Sequence, residues 1–245
     1  MRTDLFFGSV LLCVVTASAH AVVNSDSSDP YQDFNRHMFA LNDSLDKAIL
    51  KPVATLYQTV VPSVARKGVT HVFANLDEIP TIVNDGLQGQ GHQMGRDSER
   101  FAVNTTAGVG GLFDVASDMG IQKHYEDFGL TLAKWGYAQS SYLVLPFFGP
   151  STVRDTAGLP VDYVTSIYPY LPQNVSIPVY ALEVTNTRTN LLTYNGVYAQ
   201  AFDPYVFVRN AYMQRRDAKI EGNTASGVYA KTGRGGEGNL FQDKS

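Results

Sequence analysis

The chain has 245 residues, enough for one substantial core and short for two. Hydrophobic residues make up 44%, aromatics 11% and charged residues only 17%, a balance that excludes a disordered chain. A formal net charge of −4 argues against nucleic acid as a partner, and the single cysteine, Cys13, leaves no disulfide framework, cysteine-based zinc site or thiol nucleophile for the folded body.

Residues 1–21 read as a cleaved signal peptide. Arg2 supplies a thin positive end, residues 5–15 are apolar, and Ala17, Ala19 and Ala21 offer cleavage after Ala19 or Ala21. The apolar stretch is too short to span about 30 Å of hydrocarbon as a helix. Cys13 lies inside that stretch behind Leu11-Leu12, without the small preceding residue that lipid attachment requires, so a covalent anchor is not expected.

Asp29-Pro30 suits a helix start, and Phe34, Met38, Leu41, Leu45 and Ile49 follow at spacings of 3 or 4 on one face, until Lys51-Pro52 ends the helix. Asp43, Ser44 and Asp46 read as its wet face. A second stripe, Ala65, Val69, Val72, Phe73 and Leu76, stops before Pro80. A third, Tyr180, Val184, Thr187, Leu191 and Tyr194, is closed by Gly196 as a C-terminal cap. Asp203-Pro204-Tyr205 repeats the Asp29-Pro30-Tyr31 capping solution and opens a last helix through about Lys219; residues 221–245 are Gly-rich and read as a flexible tail.

Three middle stretches carry no charge: residues 101–113, 135–153 and 163–182. Pro146 and Pro150, Pro169, Pro172 and Pro178, and the glycines Gly108, Gly110 and Gly111 break them too often for membrane-spanning helices, which must satisfy their own backbone bonds. Two readings stay open: buried turns in a soluble core, or a body that lies in one leaflet or lines an apolar cavity.

Catalytic motifs find no support. No GxSxG elbow or GxxxxGK[ST] loop is present, and Ser44–Lys47 (SxxK) and Lys231-Thr232-Gly233 (KTG) lack the third element and the context that would give them meaning. His20, His37, His71, His92 and His124 form no HExxH or HxH pattern, so neither metal nor cofactor is expected. His124 with Glu126 and Asp127 reads as a solvated turn, and Asp77-Glu78 and Asp97 with Glu99 as helix ends and exposed pairs.

Several stretches together resemble the MlaA (VacJ) family of Gram-negative outer-membrane phospholipid transport proteins. They are Asp29-Pro30 with Phe34-Asn35-Arg36; Asn75-Leu76, Pro80, Asn84 and Leu87-Gln88-Gly89; and Arg100-Phe101 through Asn104-Thr105 to Gly108 and Gly110–Ala116. Phe128-Gly129, Thr131-Leu132, Trp135-Gly136, Tyr142–Pro146, Gly149–Thr152 with Arg154-Asp155, and Asp203-Pro204-Tyr205 with Arg209 continue the set. The resemblance implies a mainly α fold: a single ring-like multi-helix domain with Pro/Gly-broken segments (residues 22–220), monotopic in the outer membrane at its periplasmic face, with an amphipathic channel. It further implies transfer of mislocalised phospholipids from the outer leaflet to a soluble periplasmic lipid carrier (MlaC-like), association with an outer-membrane trimeric porin, and no enzymatic activity. The candidate route takes Gly108, Gly110 and Gly111 as a close-approach turn and residues 135–141, with Trp135, Gly136 and Tyr137, as a gating loop. Tyr142, Phe147 and Phe148 complete it as apolar wall or membrane contact. A porin-docking structural adaptor without its own channel is the alternative.

Overall fold

The computed structural model describes the backbone of residues 29–232 and the side chains of residues 29–222. The expected signal peptide and residues 233–245 of the expected tail lie outside the described residues. The first apolar stripe forms α1, Gln32–Leu45. Lys51-Pro52 does not end it. Asp46–Leu50 makes a π-helical turn that leads directly into α2, Lys51–Val60, with Pro52 in its first turn. Proline has no N–H for an i→i−4 bond and its ring crowds the carbonyl four residues back; the wider i→i−5 turn accommodates both.

The second stripe forms α3, Ser63–Leu76, followed by α4, Glu78–Leu87, which takes Pro80 in its first turn. Next come α5, Gly91–Thr106, and the single turn α6, Val115–Asp118. Asp127 caps α7, Phe128–Lys134, by accepting from Leu130 N at 2.8 Å. Thr152 caps α8, Val153–Thr165, in the same way through Asp155 N. Helix α9 spans Gln173–Leu191, and Leu192–Tyr194 is a 3₁₀ turn. Gly196 is not a cap but lies inside α10, Asn195–Gln200. Helix α11 runs Pro204–Thr232, past the expected stop near Lys219 and through the onset of the Gly-rich segment.

Of the two Asp-Pro-Tyr tripeptides, only the second caps. Asp203 accepts from Tyr205 N at 3.0 Å and Val206 N at 3.2 Å. Asp29 turns inward instead, accepting from Asn35 Nδ2 at 3.0 Å, from the Tyr205 hydroxyl and from Arg209 at 3.2 Å. That cluster, together with Arg36–Asp203 at 2.8 Å, ties the start of α1 to the start of α11.

The charge-free segment 135–153 holds a hairpin that periodicity did not reveal. Strand β1, Tyr142–Leu145, pairs antiparallel with β2, Gly149–Thr152, with Tyr142 opposite Thr152 and Leu145 opposite Gly149. Phe147 at φ 68° and Gly149 at φ 83° make the turn. Two asparagines of α1 act as a third strand edge. Asn35 donates to Tyr142 O at 3.1 Å and accepts from Val144 N at 2.8 Å; seven residues on, Asn42 donates to Leu145 O and accepts from Phe147 N, both at 2.8 Å.

Contacts between elements close a circuit: α1 through the π turn to α2, α2 to α9, α9 to α3, α3 to α4, α4 to α7, α7 to α11, and α11 through β2 back to α1. The interior of this circuit is unusual. Among the described residues, buried polar and charged side chains outnumber buried hydrophobic ones, while many large hydrophobics face outward. Arg100, fully buried, reaches Glu78 at 2.9 Å, Asp114 at 2.7 Å, Ser117 Oγ at 3.0 Å and Ile121 O at 2.5 Å. A second network joins Arg216 to Asp127 and to Asp155 (2.7 Å), and Asp155 to Arg154 (2.9 Å) and to the Tyr212 hydroxyl (2.8 Å). It needs α7 and α8 to cross closely: a Cβ on Gly129 would lie 2.3 Å from Asp155 Oδ1, and one on Gly158 2.9 Å from Gly129 N. Glu78 and Asp97, expected to be exposed, are buried, and His124 packs among buried carboxylates instead of forming a solvated turn.

Candidate functional site

The helical stripes bend around a cavity of about 850 Å³. Leu45 and Ile49 come from α1 and its π turn, Val144, Phe147 and Phe148 from the hairpin, and Tyr180, Val184 and Leu191 from α9; Val197 of α10 and Phe207 of α11 complete the apolar wall. The size falls within the range of pockets that enclose a small organic ligand.

One side of the cavity is charged. Arg188 grips Asp46 with two bonds, Nε to Oδ1 at 2.6 Å and Nη2 to Oδ2 at 2.8 Å, and donates to Asn195 Oδ1 at 3.1 Å. The Asp46 hydrogen bond and charge outweigh desolvation and raise the Arg188 pKa further. Beside them Asp43 accepts from Lys47 at 2.6 Å and from the Tyr198 hydroxyl at 2.9 Å. Burial, that hydrogen bond and the carboxylate charge push the Tyr198 hydroxyl up, so it stays protonated as a donor. Phe39, Asp43, Asp46, Arg188, Asn195 and Tyr198 also line a neighbouring cleft of about 330 Å³, together with Lys47 and Lys51. The cavity and the cleft therefore share one set of mostly charged and polar side chains.

Of the residues selected from sequence, Phe147 and Phe148 line the cavity and are also 76% and 65% exposed. Tyr142 does not join them on the wall: it shares the inward face of β1 with Val144 but packs with Tyr205 and Tyr212 at ring distances of 6.1 Å. Gly108, Gly110 and Gly111 form a turn away from the cavity, with close approaches at Gly108 and Gly111. A Cβ on Gly108 would stand 2.3 Å from Phe113 O, and Gly110 and Gly111 take φ of 69° and 87°. Trp135 donates Nε1–H to Leu87 O at 3.2 Å and meets Phe128 edge-on. Gly136 turns the chain at φ 115°, and Tyr137 is exposed. Arg154 fastens this loop by donating to Ala138 O at 2.7 Å.

Sequence reasoning missed Asn42, Asp43, Asp46, Arg188 and Tyr198. Asp43 and Asp46, read as a wet face, line the cavity, Asp43 from the last turns of α1 and Asp46 from the start of the π turn. A signal for Arg188 was present. The cavity-facing positions of α9 are Tyr180, Val184, Arg188 and Leu191, an apolar stripe interrupted by one charge at helical spacing.

A family model described as MlaA lipoprotein matches residues 27–219. The intermembrane phospholipid transport system lipoprotein MlaA of Shigella flexneri is 36% identical over 217 residues, covering 87% of this chain and 86% of the relative. An uncharacterized protein of Rickettsia felis is 37% identical over 196 residues, covering 79% of this chain and 78% of its own length. A solved structure described under the structural basis for maintenance of bacterial outer membrane lipid asymmetry superposes with a TM-score of 0.70 at 36% identity, covering 79% of this chain and 99% of its own. With the match spanning the circuit of helices, the hairpin and both sides of the cavity, the chain belongs to the MlaA family.

Proposed function

We propose that this protein is the outer-membrane component of an intermembrane phospholipid transport system, taking mislocalised phospholipids from the outer leaflet and passing them to a soluble periplasmic carrier. The observation that carries this reading is the cavity, with an apolar wall on one side and an Asp–Arg–Asp set on the other. A phospholipid has the same division. Its tails gain about 0.8 kcal/mol per CH₂ removed from water. Its phosphate matches the Arg188 guanidinium, and an amine headgroup matches Asp43 and Asp46. The protein makes and breaks no covalent bond in this reading; it supplies a route.

Residence in one leaflet follows the same physics. No helix among the described residues is long and apolar enough to cross a membrane. Yet Val60, Val64, Tyr170, Phe147 and Phe148 present apolar surface outward, which a leaflet would cover. A trimeric porin as neighbour, and a gating role for residues 135–141, belong to this proposal.

The test is the lipid composition of the outer leaflet. In cells lacking the protein, labelling of surface phosphatidylethanolamine by an amine reagent that does not cross the membrane should rise, and the intact gene should restore it. Unchanged labelling would overturn the proposal. The hairpin tip gives a second outcome. Phe147→Gly relieves a left-handed backbone that costs a non-glycine residue about 1–2 kcal/mol, but frees the unfolded chain by a similar amount. Stability should stay within about 1 kcal/mol of wild type, while binding to phospholipid vesicles falls about tenfold with the lost aromatic surface. Co-sedimentation with vesicles alongside urea denaturation separates the two effects.

A further inference from the structure

On the far side of the circuit from the cavity, α4, α5 and the segment before α7 bring three carboxylates around one imidazole. His124 Nδ1 lies 3.0 Å from Asp97 Oδ2 and 3.7 Å from Asp85 Oδ1, and its Nε2 lies 3.1 Å from Glu126 Oε1. Asp85 and Asp97 are fully buried, and Glu126 is 1% exposed. We propose that Asp85, Asp97 and His124 Nδ1 bind a divalent metal ion of the zinc–manganese type, with Glu126 as the positioning residue that holds the imidazole.

Donor geometry supports the set. One ligand atom from each of the three residues lies within 4.8 Å of the others. Around zinc, bonds of about 2.0–2.2 Å limit any two donors to a separation of about 4.4 Å, and His124 Nδ1 lies within that limit of both Asp97 Oδ2 at 3.0 Å and Asp85 Oδ1 at 3.7 Å. An imidazole with carboxylates suits zinc or manganese better than the all-oxygen cages preferred by calcium.

Asp85 is the independent pointer to a cation. Its side chain is fully buried and faces the cluster, where it meets the Asp97 carboxyl and, at 3.7 Å, the His124 ring, and no N–H or O–H donor satisfies either of its oxygens at hydrogen-bond distance. A buried carboxylate with so few donors around it is costly to keep in the interior, a cost that a bound cation would offset. The surrounding shell is also in place. Gln93 Nε2 donates to both Asp97 oxygens at 3.2 Å, and Gln88 Nε2 donates to Glu126 Oε2 at 2.7 Å. Glu126 on Nε2 makes the carboxylate–histidine arrangement that directs the other ring nitrogen toward a metal.

Access is open. His124 and Glu126, with Gln90 and Gln93, line a cleft of about 730 Å³. Lys219, on the same cleft, directs its ammonium at the Tyr125 ring, 3.6 Å from the centroid. An ion there would clamp α4 and α5 to the strand of chain that leads into the Asp127 cap of α7, a structural role independent of the transport reading.

The experiment is titration of the purified, chelator-stripped full chain with Zn²⁺ and separately with Mn²⁺, read by calorimetry and by thermal melting. The proposal expects one ion per chain and a rise in Tm on binding. Asp85→Asn, nearly isosteric and relieved of an unmatched charge, should keep the metal-free fold, yet bind at least tenfold more weakly and lose the Tm rise. Glu126→Gln should weaken binding about 10–100-fold. Should Asp85→Asn fail to fold, Asp97→Asn takes its place in the same titration. Neither ion binding to the wild-type chain, or equal affinity in the folded ligand variant, would overturn the site.

Discussion

Replacing Arg100 with Met is expected to destabilise the protein by about 3–5 kcal/mol. Arg100 is 2% exposed and bonds two carboxylates, a hydroxyl and a backbone carbonyl on three separate segments. Met fills much of the volume but leaves Glu78, 1% exposed, without its partner. Burial already pushes the Glu78 carboxyl up to about 7 against the opposing charges of Lys123 and Arg100. Without Arg100 that carboxyl rises further.

The pH dependence has a definite sign. A carboxyl with a raised folded pKa contributes stability that is present below its unfolded pKa and lost as pH rises through the folded one. The Met variant therefore loses more at pH 8, where Glu78 must ionise in the core, than at pH 5, where it stays protonated. Asp114 works in the opposite direction. Burial raises it, but hydrogen bonds from Ser117, Asn104 and Arg100 outweigh burial and hold it down at about 2, so its contribution is intact at both pH values. Urea unfolding of both proteins at pH 5 and pH 8 reads the result. A deficit below about 1 kcal/mol, or one that shrinks at pH 8, would contradict this account.

The second large effect is on transport. Val184→Asp should slow phospholipid transfer at least about 100-fold while leaving the fold intact. Val184 is half-buried on α9, between Tyr180 and Arg188 on the cavity-facing stripe. A carboxylate there binds water in the path of the acyl tails. A barrier raised by only about 2.7 kcal/mol gives the 100-fold change, and stripping water from a charge costs more than that. Val184→Leu, larger but apolar, should retain transfer within a few-fold. Transfer between labelled donor and acceptor membranes measures both variants. If Val184→Asp still maintains outer-leaflet composition, the cavity is not the route.

The helices were legible where apolar spacing is regular. α1, α3 and α9 follow from their stripes, because side chains at i, i+3 and i+4 share a helix face whatever surrounds them. Boundaries were less secure. Pro52 reads as a stop, but the π turn before it removes the backbone conflict, and Gly196 reads as a cap but continues a short helix. Hairpin β1–β2 left little trace, since its outer edge is satisfied by Asn35 and Asn42, more than a hundred positions earlier in the chain.

Sequence by itself determined the mainly helical character, the refusal of the charge-free segments to cross a membrane, and the family, because each rests on local spacing or on motifs in order. The tertiary structure decided which polar residues lie inside. Asp43 and Asp46 occupy the positions of a wet helix face, and His124 those of a solvated turn, until Tyr198 and Arg188 bond the two carboxylates from far along the chain and the packing of α4 on α5 brings carboxylates around the imidazole. Burial and pairing are properties of the whole surface that closes over a side chain, and residues that meet across a hundred positions leave no periodic mark on either segment.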